Sequence, residues 1–242
     1  MKTVVIVQAR MTSSRLPGKI LLPVLGKPLL EHQIERLRRF RLADEIVIAT
    51  TINADDQPII DLCDRLGVAY FRGSEQDVLS RYYGAAVEHN ADTVVRITSD
   101  CPVIDHELSD EVIQYYLDRH KDIEYVRTRN YPRGLDTEVF SFGALQRCYK
   151  EAVAQPDREH VTPYIYRNPQ LFNFHYFDSY EDLSSYRWTV DTPEDYQLLK
   201  NIIEALYSRK VDFNYKDILA LLAEFPEWVS INAHVRQKQY GE

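Results

Sequence analysis

Four consecutive β-branched residues, Val4, Val5, Ile6 and Val7, open this chain, and within three residues after them the sequence turns polar and cationic. An apolar run this short and unbroken reads as a strand buried on both faces. Such a strand forces a sheet covered by helices on each side. The loop that leaves it carries Arg10, Arg15 and Lys19 among Thr12, Ser13 and Ser14, and closes on Pro17 and Gly18. Open α/β sheets bind their ligands at loops leaving the C-terminal ends of strands. Guanidinium forks, hydroxyls and free backbone N–H groups suit a polyphosphate, because they supply bidentate donors and partial positive charge. Gly18, without a Cβ, lets the backbone approach a phosphate closely. The alternative is a solvated basic loop. Three cations within ten residues of a chain whose net charge is −8 favour the phosphate.

The pattern downstream fits the same architecture. Apolar residues at helical spacing predict a helix over 28–40, then a buried strand over 45–50, a helix over 55–66 and a short strand over 68–71. Residues 74–89 read as a helix opened by a capping-box-like Ser74-Glu75-Gln76-Asp77. A strand over 93–98 and a helix over 106–119 follow. Alternating strands and helices predict a mostly parallel, twisted sheet with helices on both faces. From residue 123 the alternation weakens: strands are expected over 124–127, 138–142 and 187–190, with weak alternation over 172–177. Helices are expected over 144–154, 193–206 and 215–225, and 155–160 reads as a polar stretch. No linker separates two domains, so the chain reads as one domain of 242 residues with an irregular insertion at about 128–180. Such a segment covers a site or mediates dimerisation. Its aromatic residues, Tyr164, Tyr166, Phe172, Phe174, Tyr176 and Phe177, raise the expectation of a homodimer.

Composition removes several functional classes. With 45% hydrophobic and 27% charged residues the chain is ordinary globular material. Its acidity argues against a nucleic-acid partner, which needs a basic face. Cys63, Cys101 and Cys148 are widely spaced, which fits a reduced compartment better than a disulfide framework. Nothing reads as a signal peptide or a membrane span, so a cytoplasmic protein is expected.

Two aspartates stand out. Asp100, in T-S-D-C-P, follows a buried strand on the same sheet edge as the cationic loop. Two roles suit it: holding a divalent cation against a nucleotide's phosphates, or capping a turn before Pro102. Asp191, in R-W-T-V-D-T-P-E-D, by itself suits a helix start. In the middle of the chain, G-L-D-T-E-V-F-S sets Asp136 and Glu138 two apart, hence on one face if extended. Arg129, Arg133, Arg158 and His160 lie nearby in sequence, enough polar groups to hold a hydroxylated substrate.

No Walker or dinucleotide-binding glycine motif follows the first strand. Instead Ala9, Arg10, Ser13, Arg15, Leu16, Pro17, Gly18 and Lys19 match A-R-x-x-S-x-R-L-P-G-K. This resembles the opening loop of the CTP-dependent sugar nucleotidyltransferases, a family that includes the CMP-sialic acid and CMP-3-deoxy-manno-octulosonate synthetases and relatives of spore coat polysaccharide biosynthesis. Asp100 resembles the family's first metal-binding aspartate, with Ser99 where relatives usually carry glycine, and Asp191 matches the second, in V-D-x-P-E-D. Spore-coat-type relatives also carry a G-L-D-x-E-V-F element.

The resemblance implies attack of a sugar hydroxyl on the α-phosphorus of CTP, giving a CMP-sugar and pyrophosphate. Arg10, Arg15 and Lys19 would hold the triphosphate, with Gln8, Ala9, Ser13, Ser14 and Gly18 beside them. Asp100 and Asp191 would hold Mg²⁺. Gly73, Ser74, Asp77 and Arg81 occupy the place where the family reads its pyrimidine. An acidic keto-sugar is the expected second substrate, met by Arg129, Arg133 or Arg158, with Asp136, Glu138 and His160 at its hydroxyls. A glycosyltransferase of related fold, consuming an activated sugar, and a non-catalytic nucleotide-sugar binder remain the other readings.

Overall fold

The computed structural model describes residues 1–237. β1 (Thr3–Gln8) is buried along Thr3–Val7, and Val4 and Ile6 enter one hydrophobic core while Val5 and Val7 enter another. That two-sided burial is what the unbroken apolar run requires. A 3-10 turn at Lys19–Leu21 and a small hairpin of β2 (Pro23–Val24) and β3 (Lys27–Pro28) lead to α1 (Leu29–Leu37). Then come β4 (Glu45–Thr51), α2 (Gln57–Leu66), β5 (Ala69–Gly73), α3 (Val78–Glu88), β6 (Thr93–Thr98) and α4 (His106–Arg119). The second half holds β7 (Tyr125–Arg129), β8 (Glu138–Ser141), α5 (Phe142–Glu151), α6 (Gln155–His160), α7 (Pro163–Arg167), β9 (Phe174–Asp178), α8 (Pro193–Arg209) and α9 (Tyr215–Glu224).

The seven-stranded sheet runs β5-β4-β1-β6-β8-β7-β9, and β8 is antiparallel to both of its neighbours while the remaining pairs are parallel. α1, α2, α4, α8 and α9 cover one face through Leu30, Ile59, Val112, Ile202 and Ile218. α3, α5 and α7 cover the other through Tyr82, Leu145 and Ile165. From β1 the chain moves outward to β4 and β5, then returns across β1 to β6. The order therefore reverses between β1 and β6, and the loops leaving them open a crevice at Gln8 and Thr98, which are paired in register.

Three expectations need correction. Residues 187–190 form no ladder. Arg133 N donates to Tyr186 O at 2.9 Å and Trp188 N to Arg133 O at 2.7 Å, while Val190 N donates to Asp100 O at 2.8 Å. The segment spends its hydrogen bonds on two different loops rather than on a strand. The helix expected from residue 74 starts at Val78, because Asp77 is the N-cap, accepting from Ser80 N at 2.9 Å. Residues 155–160, read as a polar stretch without a helix, form α6, with Pro156 in its first turn where a missing N–H costs nothing. Of the aromatic residues in the middle segment, Phe172 is buried in the second core with Tyr164 and Phe174 packed against it.

Candidate active site

The loop after β1 stands over the crevice. Met11 O accepts from Ser13 N and Gly18 N, each at 3.0 Å, which folds residues 11–18 back on themselves and delivers Lys19 to the sheet edge. Gly18 makes this turn at φ 68°, in the left-handed region. Asp56, at the start of α2, steadies the loop by accepting from Met11 N at 2.7 Å.

Lys19 is the centre of the site. Its Nζ donates to Asp191 Oδ1 at 2.7 Å and stands 3.5 Å from Asp100 Oδ2. Burial lowers the pKa of Lys19, but Asp100 and Asp191 more than offset this and the ammonium lies above its ordinary value. For Asp100 burial works upward, yet Lys19, the Thr98 hydroxyl and Arg133 hold the carboxyl well below the usual range. Asp100 is therefore charged at neutral pH, a state that its neighbouring cations sustain.

How two aspartates so far apart in sequence meet is explicit in the backbone. Thr189 Oγ1 and Val190 N both donate to the carbonyl of Asp100, at 3.0 and 2.8 Å, docking the 189–191 segment on the turn after β6. Asp191 does not cap α8. Thr192 does, in a reciprocal box with Asp195. The Asp191 side chain is thereby left for Lys19, for Arg15 at 2.8 Å and for Arg187 at 2.7 Å. Arg187 is fixed in turn by the fully buried Asp195, to which its Nε and Nη2 donate at 2.9 Å.

The cleft, ≈ 280 Å³, is lined by most of the loop residues singled out from sequence: Gln8, Ala9, Arg10, Ser13, Ser14, Arg15 and Lys19. Arg81, Asp100, Arg133, His160 and Asp191 line it as well. Arg10 faces Glu75 at 3.7 Å. Arg81 is almost fully buried, donates to Ser74 O at 3.0 Å, and burial pulls its pKa down to about 10. Burial also lowers His160, with Glu159 opposing and Arg96 and Arg133 adding to the shift, so its imidazole is mainly neutral at pH 7.

Other residues fall outside that lining. Gly18 lies instead on a neighbouring groove that the loop shares with Ala54, Asp55 and Pro58. Gly73 ends β5, and Ser74 Oγ accepts from Asp77 N at 3.1 Å in the turn before α3. Asp77 does not pair with Arg81 along the helix. It accepts from Arg158 Nε at 3.0 Å and from Arg158 Nη2 at 2.5 Å, tying α6 to α3. Arg158 is thus a brace rather than a cleft residue. Arg129 lies on the outer part of the sheet, where its register partner on β9, Asp178, takes its Nε and Nη2 at 2.5 and 2.7 Å. Asp136 accepts from Gly134 N at 3.1 Å and from Arg133 at 3.4 Å, closing the loop before β8. Glu138 is buried on β8, its two oxygens taken by Arg96 at 2.6 Å and Tyr125 OH at 3.1 Å.

Thr12, Ser99 and Glu159 line the cleft too, and with them three residues the sequence did not single out: Arg96, Thr98 and Gln237. Arg96 had a legible signal, a lone charge inside a buried apolar strand. Gln237 had none.

A cationic cleft at the switch point of a doubly covered sheet, with two carboxylates facing it, defines a nucleotidyltransferase-type α/β protein. The chain belongs to the cytidylyltransferase family, whose model matches residues 4–221. A structure of a cytidylyltransferase from Leptospira borgpetersenii superimposes with a TM-score of 0.91, at 34% identity and 99% coverage of each chain. An uncharacterized protein of Methanocaldococcus jannaschii is 42% identical over 100% of this chain and 99% of its own length. The spore coat polysaccharide biosynthesis protein SpsF of Bacillus subtilis is 33% identical over 92% of this chain and 94% of its own. Among the described residues, no helix is long and apolar enough to cross a membrane.

Proposed function

We propose that this chain transfers the cytidylyl group of CTP to a hydroxyl of an acidic keto-sugar, in a Mg²⁺-dependent reaction that serves the synthesis of a surface polysaccharide such as a spore coat. The bond between the sugar oxygen and the α-phosphorus forms, the bond from that phosphorus to the β-phosphate bridging oxygen breaks, pyrophosphate leaves, and the hydroxyl proton passes to solvent. The observation that carries this reading is the convergence of Lys19, Asp100 and Asp191 at one end of the cleft.

Arg10, Arg15 and Lys19 surround the place a triphosphate would take, and their charge would neutralise the leaving pyrophosphate. Arg15 and Lys19 now rest on Asp191, so they exchange one anion for another when nucleotide enters. Asp100 and Asp191 offer hard oxygen donors, and no cluster of three or more metal-ligating side chains exists among the described residues. A pair of carboxylates fits Mg²⁺, which usually takes one or two from protein and completes its shell with phosphate and water. Held there, the ion would polarise the α-phosphate. Arg81, which lines the cleft and donates to Ser74 O in the turn before α3, would mark the side on which the base sits. The test is pyrophosphate release with CTP, UTP, ATP or GTP against octulosonic, nonulosonic, neutral and amino sugars, with and without Mg²⁺. The expected outcome is CTP-selective, Mg²⁺-dependent release with acidic sugars. Equal use of all four nucleotides defeats the cytidylyl assignment, and turnover of neutral sugars alone defeats the acidic one.

A further inference from the structure

Arg96 is a charged residue on a central strand, and what it does is not explained by the phosphate end of the cleft. It pairs in register with Glu138 on β8, which pairs in turn with Arg127 on β7. Residues directly opposite across a ladder share a face, so cation, carboxylate and cation cross three strands in a row. Two arginines against one glutamate leave a net positive charge in a place with little access to water. Arg96 and Glu138 are only 12% and 10% exposed in their side chains. An enclosed ion pair of this kind is often no more stabilising than a well-packed apolar pair of the same size. Packing alone gives no reason for the guanidinium.

The hydrogen bonds give one. Glu138 has a partner on each oxygen, Arg96 Nη1 on Oε1 and the Tyr125 hydroxyl on Oε2. Arg96 has donors to spare: Nη1 is on Glu138 and Nη2 on Gln8 Oε1 at 3.1 Å, each NH2 group carrying a second N–H, while Nε is buried, and the side chain lines the cleft. Four other cations there have protein anions beside them, as Arg96 has Glu138, and a fifth, Arg81, donates to Ser74 O. Lys19 and Arg15 lie on Asp191, Arg10 faces Glu75, and Arg133 is held by Asp136. The Arg96 backbone also lies four residues short of Asp100, roughly 10 Å or more along extended chain, away from the two carboxylates that would repel an anion.

We propose that Arg96, held by Glu138 and Gln8, is the residue that receives the acidic group of the second substrate. This assignment rests on the cytidylyltransferase reading above and replaces Arg129 and Arg158, whose guanidinium groups are committed to Asp178 and Asp77. Glu138 is then a positioning residue that acts through Arg96.

Arg96→Met tests it with 3-deoxyoctulosonate and N-acetylneuraminate as acidic probes and glucose as a neutral one. The KM for the acidic sugar is expected to rise about 10- to 100-fold, the loss of a charge-assisted hydrogen bond, while calorimetric binding of CTP is unchanged. Arg96→Lys keeps the charge without the fork and should fall between, and it carries the test if Arg96→Met does not fold. Glu138→Gln should raise the same KM and leave CTP binding unchanged. An acidic-sugar KM at the wild-type value in folded Arg96→Met, or an equal loss of CTP binding, overturns the assignment, as does wild-type turnover confined to glucose. If the wild type releases no pyrophosphate with any sugar, the underlying function fails. Direct calorimetric binding of the acidic sugar, lost or kept in Arg96→Met, then still decides the role of Arg96.

Discussion

Lys19 Nζ donates to Asp191 Oδ1 at 2.7 Å across 172 positions of sequence, and the same ammonium stands 3.5 Å from Asp100. One cation thus joins the loop after β1, the turn after β6 and the segment before α8. Without a counter-charge, two carboxylates at this burial would raise each other's pKa. With Lys19 between them Asp100 stays ionised, its pKa well below the usual range. The cleft holds its charges in balance before any nucleotide arrives.

Replacing either carboxylate should therefore separate chemistry from folding. Asp100→Asn and Asp191→Asn keep size but trade the charge and one acceptor oxygen for an amide donor, and each is expected to lower turnover at least ~100-fold with a native circular dichroism spectrum. The midpoint of activation by Mg²⁺ is read in the same assay. Full activity in Asp191→Asn would leave that residue only the task of holding Lys19, Arg15 and Arg187 in place.

Gln33 gives a prediction away from the cleft. It is fully buried on α1, and its Nε2 donates to Thr98 O at 2.8 Å and to Cys101 O at 3.0 Å, bracketing Asp100 from beneath. Gln33→Met conserves volume but leaves both carbonyls without that donor. A stability loss of about 1–3 kcal/mol by urea unfolding is expected, together with a roughly tenfold fall in kcat at saturating CTP as the turn loosens. Lost stability with wild-type kcat would mean that the backbone alone positions Asp100.

Legibility in the sequence followed the range of the forces involved. The run Val4–Val7, the alternation through α4 and the cationic loop are local patterns, and the structure reproduces them with ends shifted by a few residues. The meeting of Asp100 and Asp191 depends on Thr189 and Val190 reaching the Asp100 carbonyl, a contact with no local signature. The expected capping box at Ser74 is only half there, with Asp77 N on Ser74 Oγ, because the Asp77 carboxylate turns instead to Ser80 N as the N-cap and to Arg158. Arg129 and Arg158 look no different in sequence from Arg133. What separates them is which acid the register of β9 or the start of α3 sets beside each.

Glu138 makes a pH prediction with a definite sign. Burial would raise its pKa, but Arg96 and then Arg127 pull it down, leaving it below the ordinary glutamate value. A depressed carboxylate contributes stability that is complete above its unfolded-state pKa, ~4.3, and is lost as pH falls through the folded-state value. Glu138→Gln, which leaves Arg96 without its counter-ion, should cost about 3 kcal/mol near neutrality. The gap in melting temperature from wild type should hold constant down to about pH 5 and narrow below about pH 4. An undiminished gap at about pH 3 would show that the loss comes from packing or hydrogen bonding rather than from charge.

The sharpest backbone prediction lies at Gly134, beside Arg133 of the cleft. Its φ is +106°, and a Cβ there would stand 2.4 Å from Trp188 O, 2.6 Å from Trp188 C and 3.0 Å from Thr189 N. These are backbone atoms of a segment pinned by Arg133 and by the Asp100 carbonyl, with the fully buried Trp188 indole beneath, so the methyl has no flexible neighbour to displace. Gly134→Ala adds backbone strain to overpacking, about 3–5 kcal/mol together. The displaced segment carries Asp191, so kcat should fall along with stability. Gly26→Ala is the matched control: its φ is +75°, with nothing within 4 Å of the added carbon, so about 1 kcal/mol and unchanged kcat are expected. Equal losses in the two variants by urea unfolding would mean that residues 188–189 yield to the methyl and that Asp191 does not depend on this close approach.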